Sequence, residues 1–247
     1  MTICYPSRTK GGANHMPRTK RAVLSLLTSA LLVSSTLPVS GDDKTKDEET
    51  IRNASTVLQA MVGSKDIPAG VLAKADCIII LPSVKKFAVG IGGTGGRGPM
   101  TCRTGPNFNH KWSPSAMYGI GGASAGFQIG GTATDYVLVI LSKDAVAKVL
   151  NGKVKVGSDV SAAAGPGASA GNAIGGTDIL TYSRKSGLFA GVSLDGATLS
   201  PDSDANQRLY GKAVSASEVV RTGDVTATPA GASLASLLDS KGPKHVD

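Results

Sequence analysis

The chain carries few of the side chains with which proteins do chemistry. Of its 247 residues, 4% are aromatic, three are histidines and three are cysteines. The scarcity of aromatic rings argues against a single-stranded nucleic-acid binder, which stacks bases on such rings. Only His110 lies well inside the folded part that the sequence predicts, and neither a cysteine nor a second histidine is close to it in sequence, so no metal-binding motif is present. We therefore expect no cofactor and no metal ion.

Acidic residues are absent from the N-terminal part of the chain. Five of the 26 basic residues and none of the 18 acidic residues precede Asp42, so 21 basic residues face 18 acidic ones after it. The formal net charge of +8 therefore comes mostly from the N-terminus. The remainder contains no basic helix, and we expect no nucleic-acid partner.

The N-terminal segment has the three parts of a secretory signal peptide. Residues 17–21 are basic, residues 22–39 are mainly apolar, and small residues at 39–41 offer a cleavage site. We expect residues 1–41 to be a leader, with Met16 as its functional start, that is cleaved on export to the periplasm or cell envelope. The alternative is an uncleaved membrane anchor, but serines and threonines within the apolar segment disfavour a stable span. There is no cysteine near the cleavage site, so the sequence does not support a lipid-modified N-terminus.

Glycine, by contrast, is abundant, with 32 residues that alternate with valine, isoleucine and leucine. This pattern is typical of β-strands with tight turns and close backbone contacts. The order of elements predicts an α+β fold, in which a glycine-rich twisted antiparallel β-sheet or partial barrel carries N-terminal helices, one inserted helix and C-terminal helices. We expect one domain over residues 42–240 and a flexible tail over 241–247. The predicted helices are residues 47–63, 68–75, 143–151 after the N-cap Ser142, 206–210, 217–220 and 232–238.

The β region contains two predicted hairpins. A strand over residues 77–81 ends at Pro82, and residues 86–92 and 97–103 then form a hairpin around positions 94–96. Residues 179–196 form a second hairpin, with Gly187 supplying the positive φ that its tight turn needs.

Two cysteines, Cys77 and Cys102, remain once the leader is removed. In an exported protein they form one disulfide or stay as unpaired thiols, with Cys77 buried in an apolar strand. Separation along the sequence does not fix the distance between the two residues, so both alternatives stand.

A G-x-G-x-x-G motif at residues 90–95 resembles a dinucleotide-binding loop. Such a loop needs a helix that opens within the motif and directs its N-terminus at the pyrophosphate. Further glycines and Pro99 follow instead, which favours a glycine-rich hairpin.

Two G-x-S-x-G motifs place Ser124 and Ser169 at their centres. A nucleophile elbow needs a helix after the serine and a histidine elsewhere in the fold. Residues 127–131 continue the first motif as a strand, and the histidine that follows both serines, His245, lies close to the C-terminus. We predict that the chain is not an enzyme and keep a serine hydrolase as the least favoured alternative.

Several segments together resemble the SYLF domain, also described as the lipid-binding domain of the yeast actin-binding-protein type. The strongest is the run 182–196, which opens with Tyr182-Ser183-Arg184 and closes with Gly196. The similarity keeps its order over residues 47–238. The other matching segments are residues 73–75 with 79–86, 112–115, 126–130, 135–139 and 155–159, and Asn206 with residues 210–211.

The resemblance implies a non-enzymatic module that binds membrane lipid. Some eukaryotic members bind phosphoinositides or actin, whereas bacterial members are typically exported envelope proteins. The signal-peptide pattern makes this chain similar to the bacterial exported members, and we do not expect actin to be its partner. The resemblance and the leader thus predict an exported protein of the cell envelope that binds anionic membrane lipid. The alternative is a structural or protein-interaction module of the envelope.

Charge suggests where an anionic lipid would bind, because each basic side chain near a membrane contributes about 1 kcal/mol. Basic residues cluster around the first predicted hairpin and at the turn of the second. Ordinary solvated charge is the competing interpretation. The candidate lipid-binding residues are Lys85, Lys86, Arg97, Arg103, Lys111, Arg184 and Lys185.

Overall fold

The computed structural model describes residues 40–89, 91–125, 130–165, 177–185, 188–189, 194, 196–242 and 244–245. They belong to one compact unit, Pro38–Asp247. The predicted leader up to residue 39, the second serine motif at 167–171 and the turn at 186–187 lie outside the described residues.

A single curled sheet forms the centre of the described fold. Its strands are β1 (Cys77–Val89), β2 (Ile91–Cys102), β3 (Ala116–Ala125), β4 (Gly130–Ile140), β5 (Val154–Lys155), β6 (Ala162–Ala164), β7 (Ile179–Lys185), β8 (Leu188–Phe189) and β9 (Thr198–Pro201). Eight of them follow the order β5-β9-β3-β2-β1-β4-β7-β6, and β8 pairs with β7. The pairs are antiparallel except β6 with β7, which is parallel.

Helices cover both faces of this sheet. One face shares a core with α1 (Ser40–Gly63), α2 (Ala69–Ala73), α4 (Ser203–Tyr210) and α5 (Pro229–Lys241). The other face shares a core with α3 (Lys143–Leu150) and a π-helical turn, Glu218–Thr222. The predicted α+β class, with N-terminal, inserted and C-terminal helices around a partial barrel, is confirmed.

The start of β1 shows why its sequence is continuously apolar. Cys77, Ile79 and Leu81 are buried in one core, whereas Ile78 and Ile80 are buried in the other. A strand covered on both faces has no polar side to alternate with, so an unbroken apolar run is the expected pattern.

Helix starts differ in how well local sequence predicts them. The side chain of Ser142 accepts a hydrogen bond from the N–H of Ala145 at 3.1 Å, so α3 begins where its N-cap predicts. α1 begins at Ser40, earlier than the predicted start at Asp47. Asp42 and Asp43 lie in its first turn, where their negative charges interact favourably with the positive end of the helix dipole. The acidic residues from Asp47 onward are internal to the helix.

Strand β1 continues through Pro82, where the sequence predicts its end. Its pairing with β4 shifts register between Leu81 and Val84, which marks a β-bulge. Ser83 adopts a φ of 51° there, and its N–H donates to Oδ1 of Asp135 at 2.8 Å. A bulge tolerates proline because the residue is released from the hydrogen-bond ladder.

The first hairpin consequently turns earlier than predicted. Val89 pairs with Ile91, and residues 94–96 lie within β2, so the turn is not at 94–96. The glycines at 92–96 are strand residues of β2 paired with both β1 and β3.

Cys77 and Cys102 lie opposite each other on β1 and β2 and are joined by a disulfide with an S–S distance of 2.03 Å. Both residues are buried. Of the two alternatives that the sequence leaves open, the structure therefore contains the disulfide, which ties the start of β1 to the end of β2.

Candidate functional site

Beyond the bulge, four central strands continue as one glycine-rich end of the sheet. We define this distal end as residues 84–89 of β1, 91–96 of β2, 121–125 of β3 and 130–134 of β4. Gly95, Ala123, Gly131 and Ala133 are exposed here, unlike the buried residues at the start of β1. Among the residues whose burial the structure describes, the distal end is therefore less covered than the start of β1.

Phe87 gives the distal end an apolar side chain in contact with water. Its exposed fraction is 62%, and among the residues whose side chains the structure describes no other large hydrophobic side chain is exposed. A Cβ built on Gly93 would lie 2.8 Å from Cζ of Phe87, so the ring lies across β2 at a position that only glycine leaves open. Most of the Phe87 side chain nevertheless remains in contact with solvent.

Two lysines flank Phe87 along β1. Lys85 is exposed and shares a face with Phe87, because side chains two residues apart point the same way in a strand. Lys86 points to the opposite face, where its Nζ lies 5.9 Å from the centre of the Tyr136 ring. Burial lowers the pKa of Lys86 from its ordinary value. The lysine pair thus places positive charge on both faces of the sheet beside one aromatic ring.

Arg184 and Lys185 lie at the end of β7, separated from β1 by β4. Arg184 pairs with Asp135, and Asp135 lies two residues from Ala133, the partner of Lys85. Arg184 therefore shares the face of Lys85 and Phe87, two strand spacings or about 10 Å away across the sheet. Arg184 is half-buried and Lys185 is exposed.

Arg97 shares the same face but is engaged in an ion-pair network. Its guanidinium pairs with Oδ1 of Asp47 on α1, and it lies 3.4 Å from Oδ2 of Asp202. Arg208 on α4 donates to the other carboxylate oxygen of Asp47 at 2.8 Å. The primary role of Arg97 in the structure is to hold α1 and α4 against β2.

The remaining candidates, Arg103 and Lys111, lie at the opposite end of the sheet, after the end of β2. Arg103 is buried and stacks on Trp112, with 4.8 Å between the guanidinium carbon and the ring centre. Lys111 is exposed. The seven candidate residues therefore do not form one cluster: five lie at or beside the distal end and two lie far from it.

The catalytic and nucleotide-binding motifs lie in extended backbone where the structure describes them. Ser124 is a β3 residue paired with Gly92, and residues 91–95 of the G-x-G-x-x-G motif lie in β2. The described residues that follow the G-x-G-x-x-G motif, 96–102, continue as strand β2, whereas residues 127–129, predicted to continue the strand of Ser124, lie outside the described residues. The described residues contain no cluster of three or more histidine, cysteine, aspartate or glutamate side chains that could hold a metal ion. None of the described helices combines the length and apolar character that crossing a bilayer requires.

Two important residues were missed by the sequence analysis. Phe87 follows two lysines in a strand that was predicted, but alternation alone does not reveal that the helices leave this end uncovered. Asp47 was taken as an acidic residue at a helix start, yet it is fully buried between two arginines. Its arginine partners lie 50 and 161 residues away along the chain, so no local signal could identify them.

Comparison with known proteins places this fold in a family. A family model described as Ysc84, Las17-binding protein actin regulator, matches residues 121–241. An SH3 domain-containing protein of Schizosaccharomyces pombe is 34% identical over 190 residues, which cover 74% of this chain and 43% of that protein. Protein YSC84 of Saccharomyces cerevisiae is 30% identical over 217 residues, covering 85% of this chain and 45% of that protein.

A human relative, SH3 domain-containing YSC84-like protein 1, is 31% identical over 208 residues, covering 81% of this chain and 58% of that protein. The chain thus spans about half the length of the curated relatives it matches. The family description names an actin regulator, so the expectation that actin is not a partner has no support from these comparisons. Because the family model and the relatives agree with the segments that resemble the SYLF domain, the chain belongs to the Ysc84, or SYLF, family.

Proposed function

We propose that this chain is an exported, non-enzymatic protein of the cell envelope that binds anionic membrane lipid through the distal end of its sheet. The observation that carries the proposal is the exposed Phe87 ring with Lys85 and Lys86 beside it. An apolar ring that enters the headgroup region, next to basic side chains that attract anionic lipid, is the combination used by peripheral membrane proteins.

The expected contributions are individually small and together sufficient for reversible binding. Each basic residue at an anionic surface adds about 1 kcal/mol, and full burial of a phenylalanine side chain adds about 1.5–3 kcal/mol. Lys85 and Phe87 act from the same face of the sheet, and Arg184 extends that face toward β7. Because charge supplies much of the total, the binding falls with rising salt.

Replacing both lysines with glutamine, Lys85→Gln/Lys86→Gln, is expected to lower partitioning into anionic vesicles about 30-fold, because two contributions of about 1 kcal/mol are lost. The measurement is co-sedimentation of residues 40–247 with phosphatidylcholine vesicles, with and without phosphatidylglycerol. Lys65→Gln/Lys153→Gln removes the same charge from exposed positions outside the distal end and is expected to bind as the unchanged protein does.

Failure of the unchanged protein to sediment with either vesicle would reject lipid binding. Equal losses in the two double variants would reject the distal end as the site and leave only general charge attraction. Phe87→Ser separates the apolar part, because it is expected to weaken binding at all salt concentrations, whereas the lysine effect disappears at high salt.

A protein-interaction role is the second candidate, favoured by the names of the relatives. One yeast relative is named LAS seventeen-binding protein 3, and the family description refers to an actin regulator. Co-sedimentation with actin filaments, in the absence of vesicles, tests this role directly. Filament binding that Lys85→Gln/Lys86→Gln leaves unchanged, together with no vesicle binding, would favour it.

Export is supported by the leader pattern and by the disulfide between Cys77 and Cys102, since disulfides persist mainly in oxidising compartments. We expect the protein recovered from the envelope or periplasmic fraction to lack residues 1–41 and to gain two alkylation sites only after reduction. Intact mass measurement with and without a reductant checks both points. Recovery in the cytoplasm of a chain that retains the leader, with Cys77 and Cys102 both reactive, would contradict export.

A further inference from the structure

A cleft lies at the end of the sheet opposite the distal end. It has a volume of about 460 Å³ and opens between the loop joining β2 to β3 and the end of α5. Phe87 lies ten residues along β1 from Cys77, the partner of Cys102 next to the cleft, so about 30 Å separates the cleft from Phe87. The volume is within the range of about 300–1,000 Å³ that is usual for small-molecule sites.

Arg103 forms the fixed part of this cleft. Its guanidinium stacks on Trp112 at 4.8 Å and lies 3.5 Å from the backbone carbonyl oxygen of Leu72. Burial lowers the pKa of Arg103, whereas the nearby charges of Asp239 and Asp76 act in the opposite direction. A guanidinium held by stacking loses little side-chain freedom when it binds a ligand.

The other groups around the cleft are mostly nitrogen donors. Lys111 and Lys244 are exposed at its rim, and His110 and Asn109 lie beside Lys111. Asp239 is the carboxylate in the lining, and it already accepts a hydrogen bond from the backbone N–H of Trp112 at 3.5 Å. A second carboxylate, Asp76, lies near Arg103 and 3.8 Å from Nε2 of His245, which also lines the cleft. Three permanently basic side chains therefore face two carboxylates.

We propose that this cleft, formed by Arg103, Lys111 and Lys244, binds a small soluble oxyanion, a group with phosphate or carboxylate oxygens. Ammonium and guanidinium donors form short, charge-assisted hydrogen bonds with such oxygens, and the planar guanidinium presents paired donors to them. The recessed position of Arg103, which is 6% exposed, favours a free ion over a headgroup held in a flat bilayer surface. The site does not depend on lipid binding at the distal end.

Trp112 provides a direct measurement of binding, because it is the single tryptophan of the chain and stacks on Arg103. The full chain is titrated with inorganic phosphate at constant ionic strength, with chloride as the balancing ion, and the fluorescence of Trp112 is recorded. We expect a saturable change with phosphate that chloride alone does not produce. A second titration uses phosphatidylglycerol vesicles, which are expected not to give this change.

Paired variants of opposite sign test the assignment. Lys111→Gln/Lys244→Gln is expected to weaken phosphate binding about 10-fold or more, because two charge-assisted hydrogen bonds are lost. Asp239→Asn keeps an oxygen that accepts the Trp112 N–H but removes the repelling charge, so it is expected to strengthen binding about threefold or more. Lys65→Gln/Lys153→Gln is the control of equal charge change.

Absence of a saturable phosphate response in the unchanged protein would overturn the proposal, as would equal weakening in the two lysine pairs. A response to vesicles but not to free phosphate would assign the cleft to a lipid headgroup and likewise reject a soluble ligand. Lys85→Gln/Lys86→Gln is expected to bind phosphate normally, so failure at the distal end and failure at this cleft are distinguishable.

Discussion

Replacing Asp47 with alanine is expected to destabilise the protein by about 3 kcal/mol, at the lower end of the range for breaking a buried ion pair. The carboxylate is fully buried and is shared by Arg97 and Arg208. Loss of the carboxylate leaves the guanidinium groups of Arg97 and Arg208 without the negative charge with which both of them pair. Their side chains are 39% and 26% exposed, so water can solvate part of that charge, which is why we do not expect the full cost.

The position of Asp47 in the fold makes this effect a global one. Through its two partners, the carboxylate joins α1 to β2 and to α4, and it raises the pKa of Arg208 by accepting its hydrogen bond. The next residue, Glu48, accepts a hydrogen bond from the backbone N–H of Ala230 at 3.1 Å and so connects α1 to the start of α5. One turn of α1 therefore holds the helical layer over the sheet.

Urea unfolding followed by circular dichroism measures the change as a lower midpoint with an unaltered slope. Glu49→Ala is the matched control, because Glu49 is exposed on the same helix and its loss is expected to cost at most about 0.5 kcal/mol. The double variant Asp47→Ala/Arg208→Ala is expected to lose less stability than the sum of the losses in the two single variants, because it removes one of the two charges that Asp47→Ala leaves unpaired. Additive costs, or a destabilisation no larger than that of Glu49→Ala, would show that the network contributes nothing.

Sequence patterns predicted elements that depend on neighbouring residues and missed features that depend on distant ones. α3 was predicted because Ser142 and the following apolar residues carry the whole signal. The continuation of β1 through Pro82 was missed, because it requires a bulge whose free N–H is satisfied by Asp135, a residue of another strand. The fold class survived this error, since layers follow from the order of elements and not from their limits.

The candidate site was predictable only in part, for the same reason. Residues 85–86 and 184–185 were assigned to two separate hairpins, and the pairing of β1 and β7 with β4 brings the two pairs to the same end of the sheet. Arg97 and Arg103 have the same charge but are held by Asp47 and by Trp112, partners that spacing does not reveal. Phe87 was not singled out, because its exposure depends on where the helices stop covering the sheet.

Gly98→Ala is expected to be the most damaging single-methyl change among Gly93, Gly95, Gly96 and Gly98 of β2. The expected loss is at least about 3 kcal/mol, at or beyond the upper end of the usual cost of overpacking. A Cβ at this position would overlap the carbonyl oxygen of Ile80 and lie 3.1 Å from Cα of Leu81. Both atoms belong to the backbone of β1, so no side-chain rotation can relieve the contact. The pairing register of β1 and β2 shifts here, between Ile79 and Lys85. The bulged backbone of β1 therefore lies directly against Gly98, which has no Cβ to obstruct it.

Gly95→Ala provides the control on the same strand, because a Cβ at Gly95 meets nothing within 4 Å. That variant is expected to be neutral or slightly stabilising, since alanine restricts the unfolded chain more than glycine does. Unfolding midpoints of the two variants measured side by side should differ by at least about 3 kcal/mol in the derived free energies. Similar midpoints would mean that β1 does not bulge against Gly98, and the projection of Phe87 and its lysines beyond the helices would lose its structural basis.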